Sequence, residues 1–154
     1  MCLILGIFVI MKLEKAFLLL NGDPPKELPN LKDYKIICAT DGAYQFLKEN
    51  HVTPNFISGD FDSLKSLPEG ISEETTIIET PDQDFTDFDK ALQILFNKGF
   101  TKVEVYGASG GEQDHFLGNL HTALTWKDKI QITFYDNYGV YFLAEKETKI
   151  AVVY

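Results

Sequence analysis

Short apolar runs that each stop at Asp or Gly alternate along this chain with stretches whose apolar residues recur every three or four positions. Residues 15–20, 35–39, 56–58, 75–79, 102–106 and 130–135 have the length and character of strands. The first five are followed by Asn21-Gly22, Asp41-Gly42, Gly59-Asp60, Asp82 and Gly107. Between strands, Ala43, Phe46 and Leu47 predict a helix to about Asn50. Phe88, Ala91, Leu92, Leu95 and Phe96 predict a longer one, with Thr86 and Asp89 at capping-box spacing and Gly99 at its end. Phe116, Leu117, Leu120, Ala123 and Leu124 predict a third, and residues 140–143 and 149–153 read as closing strands. Such alternation means βαβ units. The expected fold is α/β: a mainly parallel sheet with helices on both faces, a Rossmann-like three-layer arrangement, followed by the start of a small C-terminal β region. Ligands on such sheets bind beyond the carboxyl ends of the strands, where this chain's aspartates and glycines gather.

Composition narrows the ligand. At 154 residues and 45% hydrophobic the sequence suits one compact domain. Its 14 basic and 23 acidic residues give a formal net charge of −9, which repels a nucleic-acid backbone, so no nucleic-acid partner is expected. A small anionic ligand would need a divalent cation as bridge. Cys2 and Cys38 form neither a disulfide framework nor a Cys-x-x-Cys site. Cys38, within Ile36-Ile37-Cys38-Ala39, reads as a buried strand thiol of a cytoplasmic protein. The first eleven residues are uncharged but too few to span a bilayer, which takes about 20, and no basic segment precedes them as in a secretory signal. No membrane association is expected, and Met11 is read as the native start, with residues 1–10 an upstream extension.

The acidic groups that follow strands fall at three places: Asp41; Asp60 and Asp62; and Asp82, Asp84, Asp87 and Asp89. In Gly59-Asp60-Phe61-Asp62-Ser63, an extended backbone would point Asp60 and Asp62 to one side, where paired carboxylates hold Mg²⁺. The alternative is a turn in which Asp and Ser bond their own backbone. Asp84 and Asp87, three apart at a helix start, can share a face; their other role is to complement the helix dipole. Four aspartates between Asp82 and Asp89 exceed what one helix N-terminus needs, and such density calls for a cation. Gly107-Ala108-Ser109-Gly110-Gly111 joins a strand to a helix and offers backbone N–H groups to a phosphate, although glycines also make plain turns. It lacks the Gly-Lys-Ser/Thr of a Walker loop and the Gly-x-Gly-x-x-Gly of a dinucleotide fold. Asp114-His115 opens the next helix with Asn119 one turn on; His115 is either a ligand contact or a half-buried hydrogen-bonded residue. No Lys or Arg lies in residues 107–120, so a polyphosphate there must be met by metal and backbone dipoles.

Taken together these motifs resemble the thiamin pyrophosphokinase (thiamin diphosphokinase) family. The likeness rests on Cys38-Ala39-Thr40-Asp41-Gly42-Ala43, then Gly59-Asp60-Phe61-Asp62-Ser63, then Thr80-Pro81-Asp82-Gln83-Asp84-Phe85-Thr86-Asp87-Phe88, then the 107–111 loop with Asp114-His115 and Asn119, in that order over about residues 15–145. The resemblance implies a kinase-type transferase of the α/β class, moving a diphosphoryl group from Mg-ATP to thiamin and releasing AMP. It implies Asp60, Asp62 and Asp87 as catalytic, magnesium-holding carboxylates. Asp41, Gly42, Gln83, Asp84, Thr86, Ser109, Gly110, Gly111, Asp114, His115 and Asn119 would line the nucleotide site. ATP, thiamin and a second copy of the chain are the implied partners, with thiamin bound between subunits of a homodimer. Residues 11–138 would be the ATP-binding catalytic domain and 139–154 the start of a C-terminal β-domain that helps form the thiamin pocket. The chain departs from the family in having Glu112-Gln113 where a basic residue is usual. Two other functions stay open: a nucleotide-binding domain inactive in transfer, and a phosphohydrolase that forms an aspartyl-phosphate on Asp60.

Overall fold

The computed structural model describes residues 14–62 and 70–144. In chain order the elements are β1 (Ala16–Leu19), β2 (Ile36–Thr40), α1 (Tyr44–Glu49), β3 (Phe56–Gly59), β4 (Thr76–Glu79), α2 (Asp87–Asn97), β5 (Lys102–Tyr106), α3 (Gln113–Trp126), β6 (Gln131–Tyr135) and β7 (Val140–Phe142), with 3₁₀ turns at Leu31–Asp33 and Asp41–Ala43. The seven strands form one sheet in the order β4-β3-β2-β1-β5-β6-β7. Every neighbouring pair is parallel except β6 and β7, which are antiparallel.

Burial on both faces explains why the strands read as unbroken apolar runs. Along β1 all four side chains are buried, and alternate ones go to opposite faces. Ala16 and Leu18, with Cys38, Phe56, Val103 and Val105, pack under Phe88, Ala91, Leu92 and Leu95 of α2 and Ala123 and Trp126 of α3. Phe17 and Leu19 pack on the other face with Ala39, Tyr106 and the α1-side residues Ala43 and Leu47. A fully buried Leu or Phe stabilises by about 1.5–3 kcal/mol, so these two layers hold the sheet. The three-layer α/β arrangement is therefore the one expected.

Local signals account for the helix ends. Thr86 Oγ1 accepts the N–H of Asp89 at 3.1 Å, capping α2, and Gly99 follows it with φ of +90°. α3 is rotated from the expected orientation: Leu117 and Leu124 are exposed, whereas Thr122, Ala123 and Trp126 are buried. Trp126 sets that rotation, because its indole N–H donates to Asp89 Oδ1 at 2.7 Å and its ring packs edge-on against Phe96. At the β6–β7 hairpin, Asp136 Oδ1 accepts the N–H groups of Tyr138 and Gly139, both at 2.8 Å. Cys38 is buried and free, its thiol directed at the carbonyl of Phe17. The readings placed on residues 1–10, Met11, Ser63 and the strand at 149–153 lie outside the described residues. No described helix is long and apolar enough to cross a membrane.

Candidate active site

The sheet reverses direction at β1: β2 is laid to one side of it and β5 to the other. In open parallel sheets, ligands bind beyond the carboxyl ends of the strands at such a switch point. A cleft of about 580 Å³ lies there, lined by segments at the ends of five of the six parallel strands, β1 to β5. They are Leu20, Asn21 and Gly22 after β1, Thr40 at the end of β2, Asp60 after β3, residues 83 and 85–88 with Lys90 after β4, and the 107–119 segment after β5. Thr40 is almost fully buried there, and its hydroxyl has no hydrogen-bond partner. An orphaned hydroxyl of this kind costs about 1–3 kcal/mol, which a bound polar group can offset.

The Asp60–Asp62 pair is not extended. Phe61 adopts φ of +56° and Asp62 N–H donates to Asp60 Oδ1 at 3.1 Å, so the segment is an Asx turn. The extended reading of this pair fails because the N–H of Phe61 turns inward to Asp41 Oδ2 at 2.9 Å, reversing the backbone between the two carboxylates. Asp60 faces the cleft and accepts Gln83 Nε2 at 3.1 Å. The Gln83 amide, then the Asp62 N–H, hold the Asp60 carboxyl below the usual carboxylate range. Asp41 shifts the other way: burial raises its carboxyl, two backbone N–H bonds oppose the rise, and the nearby charges of Asp87 and Asp60 add to it.

The aspartate-rich loop divides its acids among different tasks. Asp82 Oδ1 accepts the N–H of Asp84 at 2.8 Å, an Asx turn that ends before the helix begins. Asp84 and Asp87 therefore do not share a helical face, since Thr86 caps α2 and Asp87 is its first residue. Asp89 is spent on Trp126. Only Asp87 of the four lines the cleft. It pairs with Lys90, Nζ to Oδ1 2.9 Å, and the same ammonium donates to the carbonyls of Thr80 at 2.8 Å and Asp82 at 3.1 Å. Lys90 is a cleft residue that sequence reasoning overlooked. The signal was present, because an i, i+3 Asp–Lys pair opens the best-defined helix.

Across the cleft, the glycine loop is braced from below. Gly107 and Gly110 have φ of +68° and +86°. A Cβ at Gly107 would sit 2.3 Å from the carbonyl oxygen of Leu20, and one at Gly110 2.2 Å from the Asp23 carboxyl carbon. Gly22 N–H and Asp23 N–H donate to the carbonyls of Gly107 and Ser109, so the β1 and β5 loops are stitched together. Asn119 Nδ2 donates to the Ala108 carbonyl at 2.9 Å, and Ser109 Oγ to Asp136 Oδ2 at 3.0 Å. His115 is exposed rather than half-buried, with Nε2 3.5 Å from Glu112 Oε2. Among the described residues, Glu112, Asp114 and His115 alone bring three ligand atoms within 4.8 Å of one another. Asp60, Asp62 and Asp87 are not drawn that close.

Of the candidates from sequence, the cleft is lined by Asp60, Gln83, Thr86, Asp87, Gly110, Gly111, Asp114, His115 and Asn119. Asp41, Gly42, Asp62, Asp84 and Ser109 are not among the lining residues. Asn21, Gly22, Thr40, Phe85 and Lys90 line it without having been anticipated. Asn21-Gly22 stands at the end of the first strand, the place that the switch-point rule marks. The donor set suits Mg²⁺. Asp60 and Asp87 offer hard carboxylate oxygens, and Mg²⁺ keeps most of its water, needing one or two carboxylates beside a substrate phosphate.

Fold and cleft together define a doubly wound α/β domain with an acidic ligand cleft at the switch point of its parallel sheet. The family model for the catalytic domain of thiamin pyrophosphokinase matches residues 29–134. The chain belongs to that family. It is 31% identical over 124 residues to thiamin pyrophosphokinase 1 of Caenorhabditis elegans, covering 71% of this chain and 49% of the relative. It is 27% identical over 113 residues to thiamine pyrophosphokinase of Bacillus subtilis, covering 69% and 53%. Among solved structures, a thiamin pyrophosphokinase family protein from Enterococcus faecalis superposes with TM-score 0.69 at 25% identity, covering 80% of this chain and 62% of that one. The B. subtilis thiamine pyrophosphokinase superposes with TM-score 0.62 at 25% identity, covering 79% and 60%. The chain spans about half the length of the curated relatives it matches.

Proposed function

We propose that this domain binds Mg-ATP in the switch-point cleft and transfers its diphosphoryl group to the hydroxyethyl oxygen of thiamin, giving thiamin diphosphate and AMP. The observation that carries the reading is that one cleft gathers Asp60, Gln83, Asp87 and the 107–111 glycine loop, the separate motifs on which the family resemblance rests. Bound Mg²⁺ neutralises phosphate charge. Asp60 and Asp87 would hold it, with Asp62 beside Asp60. The backbone N–H groups of residues 107–111 and the start of α3 would cradle phosphate oxygens. In the transfer, the thiamin hydroxyl oxygen bonds to the β-phosphorus, the bond from that phosphorus to the oxygen of the α-phosphate breaks, and AMP leaves. The hydroxyl proton passes to a cleft carboxylate. The chain's contribution is positioning and charge, which is most of what phosphoryl transfer requires.

In this reading the molecule is a cytoplasmic homodimer, with residues 11–138 as the catalytic unit and the thiamin site shared between subunits. A second reading, nucleotide binding without transfer, is favoured by Glu112: an exposed carboxylate lines the cleft where the family usually carries a basic residue. AMP release from Mg-ATP, with and without thiamin, separates the two. Thiamin-dependent AMP from the wild type, lost in Asp60→Asn, is the expected result. Nucleotide binding with no thiamin-dependent AMP would establish the second reading.

A further inference from the structure

We propose that Asp41 is a positioning residue, whose carboxylate latches the turn at residues 59–62 and thereby presents Asp60 to the cleft. The inference rests on the metal-holding role proposed for Asp60. Asp41 sits at the end of β2 but does not line the cleft, and both its oxygens are engaged elsewhere. Oδ1 accepts the N–H of Gly42 at 2.7 Å and Oδ2 the N–H of Phe61 at 2.9 Å. The second bond crosses from one strand end to the next, between residues 20 apart in sequence. It lands on the one residue of the turn that needs holding. Phe61 has φ of +56°, a conformation that bulky residues rarely adopt and that persists only where the surroundings hold it. Its ring is the second anchor, buried with Tyr44 and Ile57.

Gly59 makes room for the latch. A Cβ there would lie 2.3 Å from the Asp41 carboxyl carbon and 2.4 Å from Oδ2. Only a residue without a side chain lets the carboxylate reach past β3 to the amide beyond. Asp41 and Gly59, which belong to separate sequence motifs, are thus two halves of one device. With the Phe61 amide turned inward, Asp60 is left facing outward to Gln83 and the cleft. Burial raises the Asp41 carboxyl, the two N–H donors oppose the rise, and the nearby carboxylates of Asp87 and Asp60 add to it.

The test compares wild type, Asp41→Asn, Gly59→Ala and the double variant. Asn keeps the volume but has one acceptor oxygen for two donors; Ala attacks the same latch from the other strand. Binding of Mn²⁺ alone, read by water-proton relaxation, should weaken about 10- to 100-fold in each single variant, as when the partners that orient metal ligands are removed. The double variant should be no weaker than the worse single one, because both break one interaction. At saturating Mg²⁺ and ATP the AMP rate should fall while the KM for ATP holds. Unchanged Mn²⁺ affinity in either single variant overturns the proposal, and so does a raised KM for ATP in Asp41→Asn alone, which would make Asp41 a nucleotide contact. Wild type that binds no Mn²⁺ overturns it as well. The relaxation experiment does not use thiamin, so a wild type that makes no AMP leaves the latch standing while the transfer reading falls. Should the variants fail to fold by circular dichroism, hydrogen exchange on wild type decides: the Phe61 amide must be protected, and free exchange there ends the idea.

Discussion

Residue by residue, the cleft separates acids that face it from acids that hold the chain in shape. Asp60 and Asp87 face the open space, whereas Asp41, Asp82 and Asp89 are engaged with Phe61, Asp84 and Trp126. The proposed metal role can be checked at Asp62: Asp62→Asn should lower AMP release at least tenfold at limiting Mg²⁺, with recovery as Mg²⁺ rises. Equal rates across the titration would remove Asp62 from the metal's ligands. Lys90 holds two carbonyls and Asp87 with a side chain only 10% exposed. Lys90→Met removes both carbonyl bonds and the ion pair, so urea unfolding should show a loss of about 1 kcal/mol, together with a fall in AMP release. Sequence alone identified the aspartates but not this division of labour, because which carboxylate meets which backbone N–H depends on residues far away in the chain.

At the scale of elements, helix ends and glycine turns position the cleft walls. Thr86→Ala removes the N-cap of α2, the helix that carries Asp87 and Lys90, and should cost about 1 kcal/mol in chemical denaturation with a smaller effect on the far end of the sheet. Gly110→Ala meets two obstacles at once, a φ of +86° and the Asp23 carboxylate at 2.2 Å from the new Cβ. It should loosen the stitching between the β1 and β5 loops, seen as faster hydrogen exchange at the amides of Gly22 and Asp23. The strands and helices were legible in advance to within one or two residues at most ends. The exceptions are informative. For Asp60–Asp62 the sequence left an extended and a turned backbone open and the segment is turned, whereas α3 was expected to bury Leu117 and Leu124 but exposes them. In each case a contact from another element decided the outcome.

For the molecule as a whole, burial of aromatic hydroxyls couples stability to pH. On the face opposite α2 and α3, Tyr34 donates to Glu104, contacts the Tyr106 hydroxyl at 3.0 Å, and closes a stack running from Phe17 through Tyr106 to Tyr135. Burial pushes the Tyr34, Tyr106, Tyr135 and Tyr141 hydroxyls above the ordinary tyrosine range. In the unfolded chain these groups lose their protons near pH 10, whereas the folded molecule retains them. The unfolded state therefore binds fewer protons above that pH, and stability, fully present below about pH 10, should decline as pH rises further. Ultraviolet titration should show these four ionising late, with unfolding; ionisation of all seven tyrosines at pH 10 with the fold intact would contradict it. What the sequence determined by itself is the α/β alternation, the family and the gathering of Asp and Gly at one edge of the sheet. These follow from short-range periodicity and from ordered motifs, which survive in one dimension. Tertiary structure alone decided which acids face the cleft, that Lys90 and Thr40 join them, and that Asp41 turns away to hold Phe61. Those outcomes depend on strand order and on hydrogen bonds between residues far apart in the chain, distances that no local pattern encodes.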